Sequence, residues 1–126
     1  MRTLMEPLYS GNSPLPDLTS IVIARDFSAT PYGRYREDGI ESGEVFREDI
    51  LMPALKMGRV ELDIDGLDGL PSSFWEEALG GMVRKGLSLD TIEKNLTILC
   101  TDPELTTFKR SGWRFIRDAA EKKTEN

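Results

Sequence analysis

The chain has 126 residues, 39% hydrophobic and 30% charged, with 16 Lys and Arg against 22 Asp and Glu and a formal net charge of −6. That length and apolar fraction suffice for one folded domain with its own core, without disulfide or metal staples. There is no histidine, which removes Ser-His and Cys-His nucleophile pairs and His-ligated zinc, and the acidic balance opposes sequence-independent nucleic-acid binding.

Residues 1–18 hold Pro7, Pro14, Pro16, Gly11 and Asn12, too many breakers for a continuous helix; a partly ordered leader is expected, with a short strand near Leu4 or Leu8 at most. The start "MRTLMEPLYS" has no apolar h-region, no run is long enough to span a membrane, and Cys100 has no partner thiol. A cytoplasmic protein without a membrane partner is expected.

"SIVIARDF" (20–27) is apolar and β-branched, and is expected to be a central strand. "SATPYGRYREDGIE" (28–41) is a loop. "SGEVFREDILMPALKMG" (42–58) spaces Val45, Phe46, Ile50 and Leu55 as a helix, with Ser42 as its cap and Pro53 as a kink or stop. In "RVELDID" (59–65), Val60, Leu62 and Ile64 alternate with Glu61, Asp63 and Asp65, the period of a half-buried strand. After the turn "GLDGLP", residues 73–85 place Trp75, Ala78, Leu79, Met82 and Val83 on one helical stripe. "SLDTIEKN" (88–95) reads as a short helix or turn, "LTILC" (96–100) as a buried strand, and 102–123 as a final helix capped by Asp102 with Pro103 at its first position. The resulting division is a leader at 1–18, a domain at 19–122 and a flexible tail at 123–126.

Strands alternating with helices imply right-handed crossovers and parallel pairing. Every strand-to-helix loop then lies at one edge of the sheet, so the loops at 28–41, 66–72 and 101–103 should be neighbours. Ligand and partner sites favour that edge.

Two serines stand at the start of the 73–85 helix. Ser73 and Glu76 have the S-x-x-E spacing of a capping box. Ser72 is then left without a local duty, at a helix start whose N–H groups and dipole favour a phosphate or other anion. The alternative is that Ser72 is itself the cap, or simply a turn residue.

"LDIDGLDGLPSSF" resembles the central motif of STAS domains, the fold of anti-sigma-factor antagonists, in which a strand and a short turn lead to Asp-Ser-Ser/Thr-Gly at a helix start. In that motif the first serine is phosphorylated by a partner kinase of the histidine-kinase-like ATPase superfamily, and Ser72 occupies its position. Pro71 stands where the motif has aspartate, and Phe74 where it has glycine. The wider stretch of roughly 20–118 resembles the STAS-like family of unknown function, small bacterial proteins that accompany genes for such ATPases. The resemblance implies an α/β fold with a mixed, largely parallel sheet and helices packed mainly on one face. It also implies a non-enzymatic regulatory module without cofactor or metal, with the 73–85 helix forming part of the partner surface. Glu76, Glu77, Arg84 and Lys85 are its interface candidates by that resemblance; spacing alone makes them a solvated face.

Other features keep two readings each. Arg34 and Arg36, in the loop after the first strand, can approach an anion at Ser72, or pair with Glu37, Asp38 or Glu41. Asp63, Asp65 and Asp68 fail the EF-hand spacing and read as a polar strand face entering a turn; Asp65 is retained as a candidate for partner or anion binding. Gly80 and Gly81 inside a helix require close packing, against the sheet or against a partner helix. Lys109, Arg110, Arg114, Arg117, Lys122 and Lys123 make the final helix basic, fit to meet an acidic partner or to complement the helix dipole. Two other functions stay open: a small phosphate- or nucleotide-binding protein or enzyme built on Arg34, Arg36, Asp65 and Ser72, and a non-switching accessory subunit of a phage-related or defence operon. A homodimer is compatible with either.

Overall fold

The computed structural model describes residues 18–125. Three short strands, β1 (Thr19–Val22), β2 (Val60–Asp63) and β3 (Leu96–Leu99), form a sheet in the order β1-β2-β3. Both pairings are parallel, and the register aligns Ile21, Leu62 and Ile98 in one row and Ser20, Glu61 and Thr97 in the next. The first row is buried, whereas Ser20 and Thr97 of the second are exposed. Strand alternation therefore gives the sheet one apolar face for the helices to cover.

Between β1 and β2 the chain makes a single turn, α1 (Ile23–Asp26), a 3-10 turn at Arg36–Asp38, and then α2 (Gly43–Phe46), a π-helical turn (Arg47–Leu51) and α3 (Met52–Met57) in unbroken succession. Between β2 and β3 run α4 (Ser72–Arg84) and α5 (Leu89–Asn95); after β3 come a 3-10 turn at Pro103–Leu105 and α6 (Thr106–Glu125). With strand order 1-2-3, right-handed crossovers carry both connections over the same face. Accordingly α4 packs against both α2 and α6. Its expected stripe, Trp75, Ala78, Leu79, Met82 and Val83, is buried, and the Trp75 indole N–H donates to the Phe108 carbonyl at 2.7 Å across the α4–α6 seam.

Several boundaries differ from the sequence reading. The expected strand at 20–27 stops at Val22, because Asp26 turns back to accept from the Val22 N–H at 2.8 Å and the chain coils into α1. Among the described residues β2, not β1, is central. The three described strands pair in parallel, as a largely parallel sheet requires, since a helical crossover after each of the first two returns the chain to the same end. The strand considered near Leu4 or Leu8, with the rest of the leader, lies outside the described residues. At the other end α6 continues to Glu125, through positions expected to belong to a tail.

Pro53 neither ends nor breaks its helix. It enters at the N-terminal end of α3, immediately after the π turn, whose wider i→i+5 bonding relieves the carbonyl a proline cannot satisfy. Ser42 caps α2 as expected, accepting from the Val45 N–H at 3.3 Å, and Asp102 caps the turn before α6, accepting from Glu104 at 2.9 Å.

The capping box is absent. The α4 helix begins one residue earlier, at Ser72, with Pro71 (φ −54°, ψ 135°) as its N-cap and no side chain accepting from its first N–H groups. Ser73 lies inside the first turn, and the Glu76 carboxylate is drawn away from the backbone by two arginines.

Candidate functional site

The turn that delivers Ser72 is built residue by residue. As β2 ends, Asp63 accepts from the Asp65 N–H at 2.8 Å, and Gly66 follows at φ +93°, a conformation that L side chains rarely adopt. Leu67 and Leu70 turn inward and are buried, anchoring the loop from beneath. Pro71 then sets the entry angle, and Ser72 emerges exposed at the first position of a 13-residue helix. Neither Ser72 nor Ser73 makes a side-chain hydrogen bond to any other described residue.

The loops expected at one edge do converge there. The Asp65 carboxylate accepts from the Thr101 N–H, the Thr101 hydroxyl at 2.6 Å and the Asp102 N–H at 3.0 Å, tying the exit of β2 to that of β3. Those bonds, the Thr101 hydroxyl foremost, hold its carboxyl below the ordinary aspartate value. Asp65 is thus a latch between loops, engaged by its own chain rather than offered to an anion or partner. On the other side, Ala29, Thr30, Pro31 and Tyr32 face Asp68, Gly69, Leu70 and Pro71 across an open cleft of about 510 Å³. The 28–41 loop holds its own shape through Glu41, which accepts from the Ser28 and Thr30 hydroxyls. Tyr32, which lines the cleft, is left 71% exposed, and Ile40, further along the same loop, 83%.

The arginines of that loop do not reach Ser72. Arg34 donates to Glu76 at 2.6 Å and to Glu77 at 3.2 Å, and Arg36 pairs with Asp49 at 2.9 Å. Their expected loop partner Asp38 instead accepts from the backbone N–H groups of Arg34 and Tyr35. Arg84 donates to Glu76 at 2.8 Å and to Glu77 at 3.3 Å. Burial raises the Glu76 carboxyl, but the bonds from Arg84 and Arg34 outweigh it and leave it below the ordinary glutamate value. Of the expected interface residues, Arg84 and Lys85 are exposed, Glu76 is half-buried and Glu77 is buried.

Glu77 is inside because of Arg47, which sequence reading passed over. Arg47 is 1% exposed, and its guanidinium donates to the Glu77 carboxylate at 2.7 Å, to the Glu77 carbonyl at 2.8 Å and to Glu48 at 2.8 Å. Its room comes from Gly81, where a Cβ would overlap the guanidinium; at Gly80 a Cβ would meet the Glu76 carboxylate. The helical glycines are therefore explained by close packing, but against side chains of the ion-pair network, the Arg47 guanidinium at Gly81 and the Glu76 carboxylate at Gly80, rather than the sheet or a partner helix. The glycine pair was the one available signal for Arg47.

Among the described residues no three His, Cys, Asp or Glu side chains gather as a metal cluster, and no helix is long and apolar enough to cross a membrane. A parallel sheet covered on one face by helices, with its loop edge carrying an exposed serine at a helix start, defines a small α/β domain of STAS type. The chain belongs to the family described as the STAS-like domain of unknown function (DUF4325), which it matches over residues 42–105. No curated protein and no solved structure matches it.

Proposed function

We propose that this protein is a regulatory binding module, akin to an anti-sigma-factor antagonist, that docks on a histidine-kinase-like ATPase and carries its switch at Ser72. The observation that supports the reading is the exposed Ser72 hydroxyl, free of any bond to a described residue, on a helix whose N-cap, Pro71, has no side-chain acceptor. In the switching step the partner transfers the terminal phosphoryl group of ATP to Ser72 Oγ; the hydroxyl proton is lost and ADP leaves. The phosphoserine carries about −1.5 to −2 charges, which the unoccupied N–H groups and dipole of α4 accept within the domain. Against an acidic or apolar partner surface the same charge weakens docking. The cleft and the exposed Tyr32 that lines it offer contact area at that edge. The module itself acts by binding, without catalysis or cofactor.

The test is affinity capture from the native host with wild type, Ser72→Ala and Ser72→Asp, followed by intact mass of the bait. Capture of an ATPase by the first two but not the third, with phosphate on wild type alone, is the expected outcome. Equal partners for all three and no phosphate would leave an accessory subunit without a switch. A nucleotide- or phosphate-binding role is disfavoured by the carboxylates that already hold Arg34 and Arg36. It would be revived by a rise in melting temperature with ATP, phosphate or Mg²⁺.

A further inference from the structure

The second surface with the chemistry of a binding site is the outer face of α6. Thr106, Lys109, Arg110, Trp113, Arg114 and Arg117 recur at helical spacing and line a shallow cleft of about 610 Å³. All four cations are exposed. They differ from five arginines elsewhere in the molecule: Arg25, Arg34, Arg36, Arg47 and Arg84 each hold a carboxylate at 2.6–2.9 Å, whereas Arg59 holds none among the described residues. Among the described residues Lys109, Arg110 and Arg114 hold none, and Arg117 reaches Glu93 only at 3.9 Å. Among the described residues, a chain with more acids than bases thus has three cations in one row that hold no carboxylate and a fourth that reaches one only at 3.9 Å.

The row is also stiffened. The Arg117 guanidinium lies over the Trp113 ring at 5.7 Å from its centroid, and that of Arg114 over Phe115 at 5.2 Å. Stacked guanidinium planes lose less freedom when they fork a carboxylate. From Thr106 to Arg117 the row runs about 16 Å along the helix at 1.5 Å per residue, the reach of about five residues of extended chain.

We infer that this face of α6 is a docking site for an acidic polypeptide segment of a partner protein. Guanidinium groups accept phosphates as readily as carboxylates, but two observations favour the protein over a nucleic acid. The chain's net charge of −6 repels a long polyanion, whereas a short acidic segment engages the row within a Debye length of about 8 Å. And the indole face a base would stack on already carries Arg117. The inference does not rest on the Ser72 switch, and either can fail without the other.

The experiment uses the full chain and a fluorescent oligoglutamate peptide of about ten residues, read by anisotropy. Wild type should bind at about 50 mM salt and weaken steeply by about 200 mM. Arg110→Glu/Arg114→Glu should lose at least about tenfold in affinity, while Lys56→Glu, an exposed charge reversal elsewhere, should bind as wild type. If the double reversal lowers the melting temperature, Arg110→Gln/Arg114→Gln replaces it, with the same loss expected. Absence of binding at low salt, or equal binding by the variants, would overturn the proposal. So would tighter binding of an oligothymidylate than of the peptide, which would make the row a nucleic-acid site. Self-association of wild type that displaces the peptide would also overturn it, making a second copy the occupant.

Discussion

At the residue scale the most constrained group is the Arg47 guanidinium. A buried ion pair stabilises little in net terms, because desolvation offsets the attraction, but removing one partner costs about 3–5 kcal/mol. Gly81→Ala probes this without touching a charge. Replacing a helical glycine by alanine ordinarily gains about 1 kcal/mol, yet here the new methyl displaces Arg47 from Glu77. Arg34 and Arg84 still compensate the stranded carboxylate, so a net loss of about 2 kcal/mol is expected in urea unfolding. Gly80→Ala meets the half-buried Glu76 carboxylate and, at 3.3 Å, the exposed Arg84 guanidinium, flexible side-chain ends that can shift together, and should stay within about 0.5 kcal/mol of wild type. Two alanines with equal effect would contradict the packing described. Arg47 was not legible beforehand because a charge on an amphipathic helix looks solvated, and its partner lies 30 residues away.

At the element scale β2 and α4 were legible because period alone separates their buried residues from the rest. The start of α4 was misplaced by one residue. Spacing could supply a plausible box for Ser73, but not the pull of Arg34 and Arg84 on Glu76. The π turn escaped for a similar reason: Pro53 announces a disturbance, while its form depends on how the preceding turn packs under α4. A helix with no side-chain cap has a measurable consequence. Ser72→Asp places a negative charge in the first turn and should stabilise the fold by about 0.5 kcal/mol, raising the melting temperature slightly. Loss of a partner by that variant would then reflect the surface and not unfolding; a clear fall in melting temperature would instead mean that Ser72 is packed differently.

At the scale of the whole molecule, acid is the condition to which the fold should respond. Asp26 is held at about 2, chiefly by its hydrogen bond from Arg25 and then by the Val22 N–H. The hydrogen bond from Arg36 similarly lowers Asp49, and Asp65 and Glu76 are lowered by the bonds described above. In acid the unfolded chain therefore binds more protons than the folded one, so stability rises with pH across that range. The contribution is complete above the unfolded carboxylate values near about 4 and is lost as pH falls through the folded ones, about 2 for Asp26. With no histidine to titrate, the melting temperature should be nearly flat from about pH 5.5 to 7.5 and fall steeply below about pH 4. The Asp65→Asn variant should show a shallower acid limb in the same scans. A melting temperature that climbs on acidification would reverse the sign and reject these pairings.

The Arg47 pocket also bears on how this sequence can change over time. Arg47, Glu77 and Gly81 are three positions on two helices joined by one physical fact: a guanidinium fits only where a methyl is missing and a carboxylate waits. A shorter apolar residue at 47 strands the acid, a neutral residue at 77 strands the base, and any side chain at 81 evicts it. Single steps are therefore penalised, while a coordinated replacement of all three by apolar residues of matching volume is not. Across relatives these columns should drift as one character, and a descendant that has lost the arginine should be free to fill the glycine.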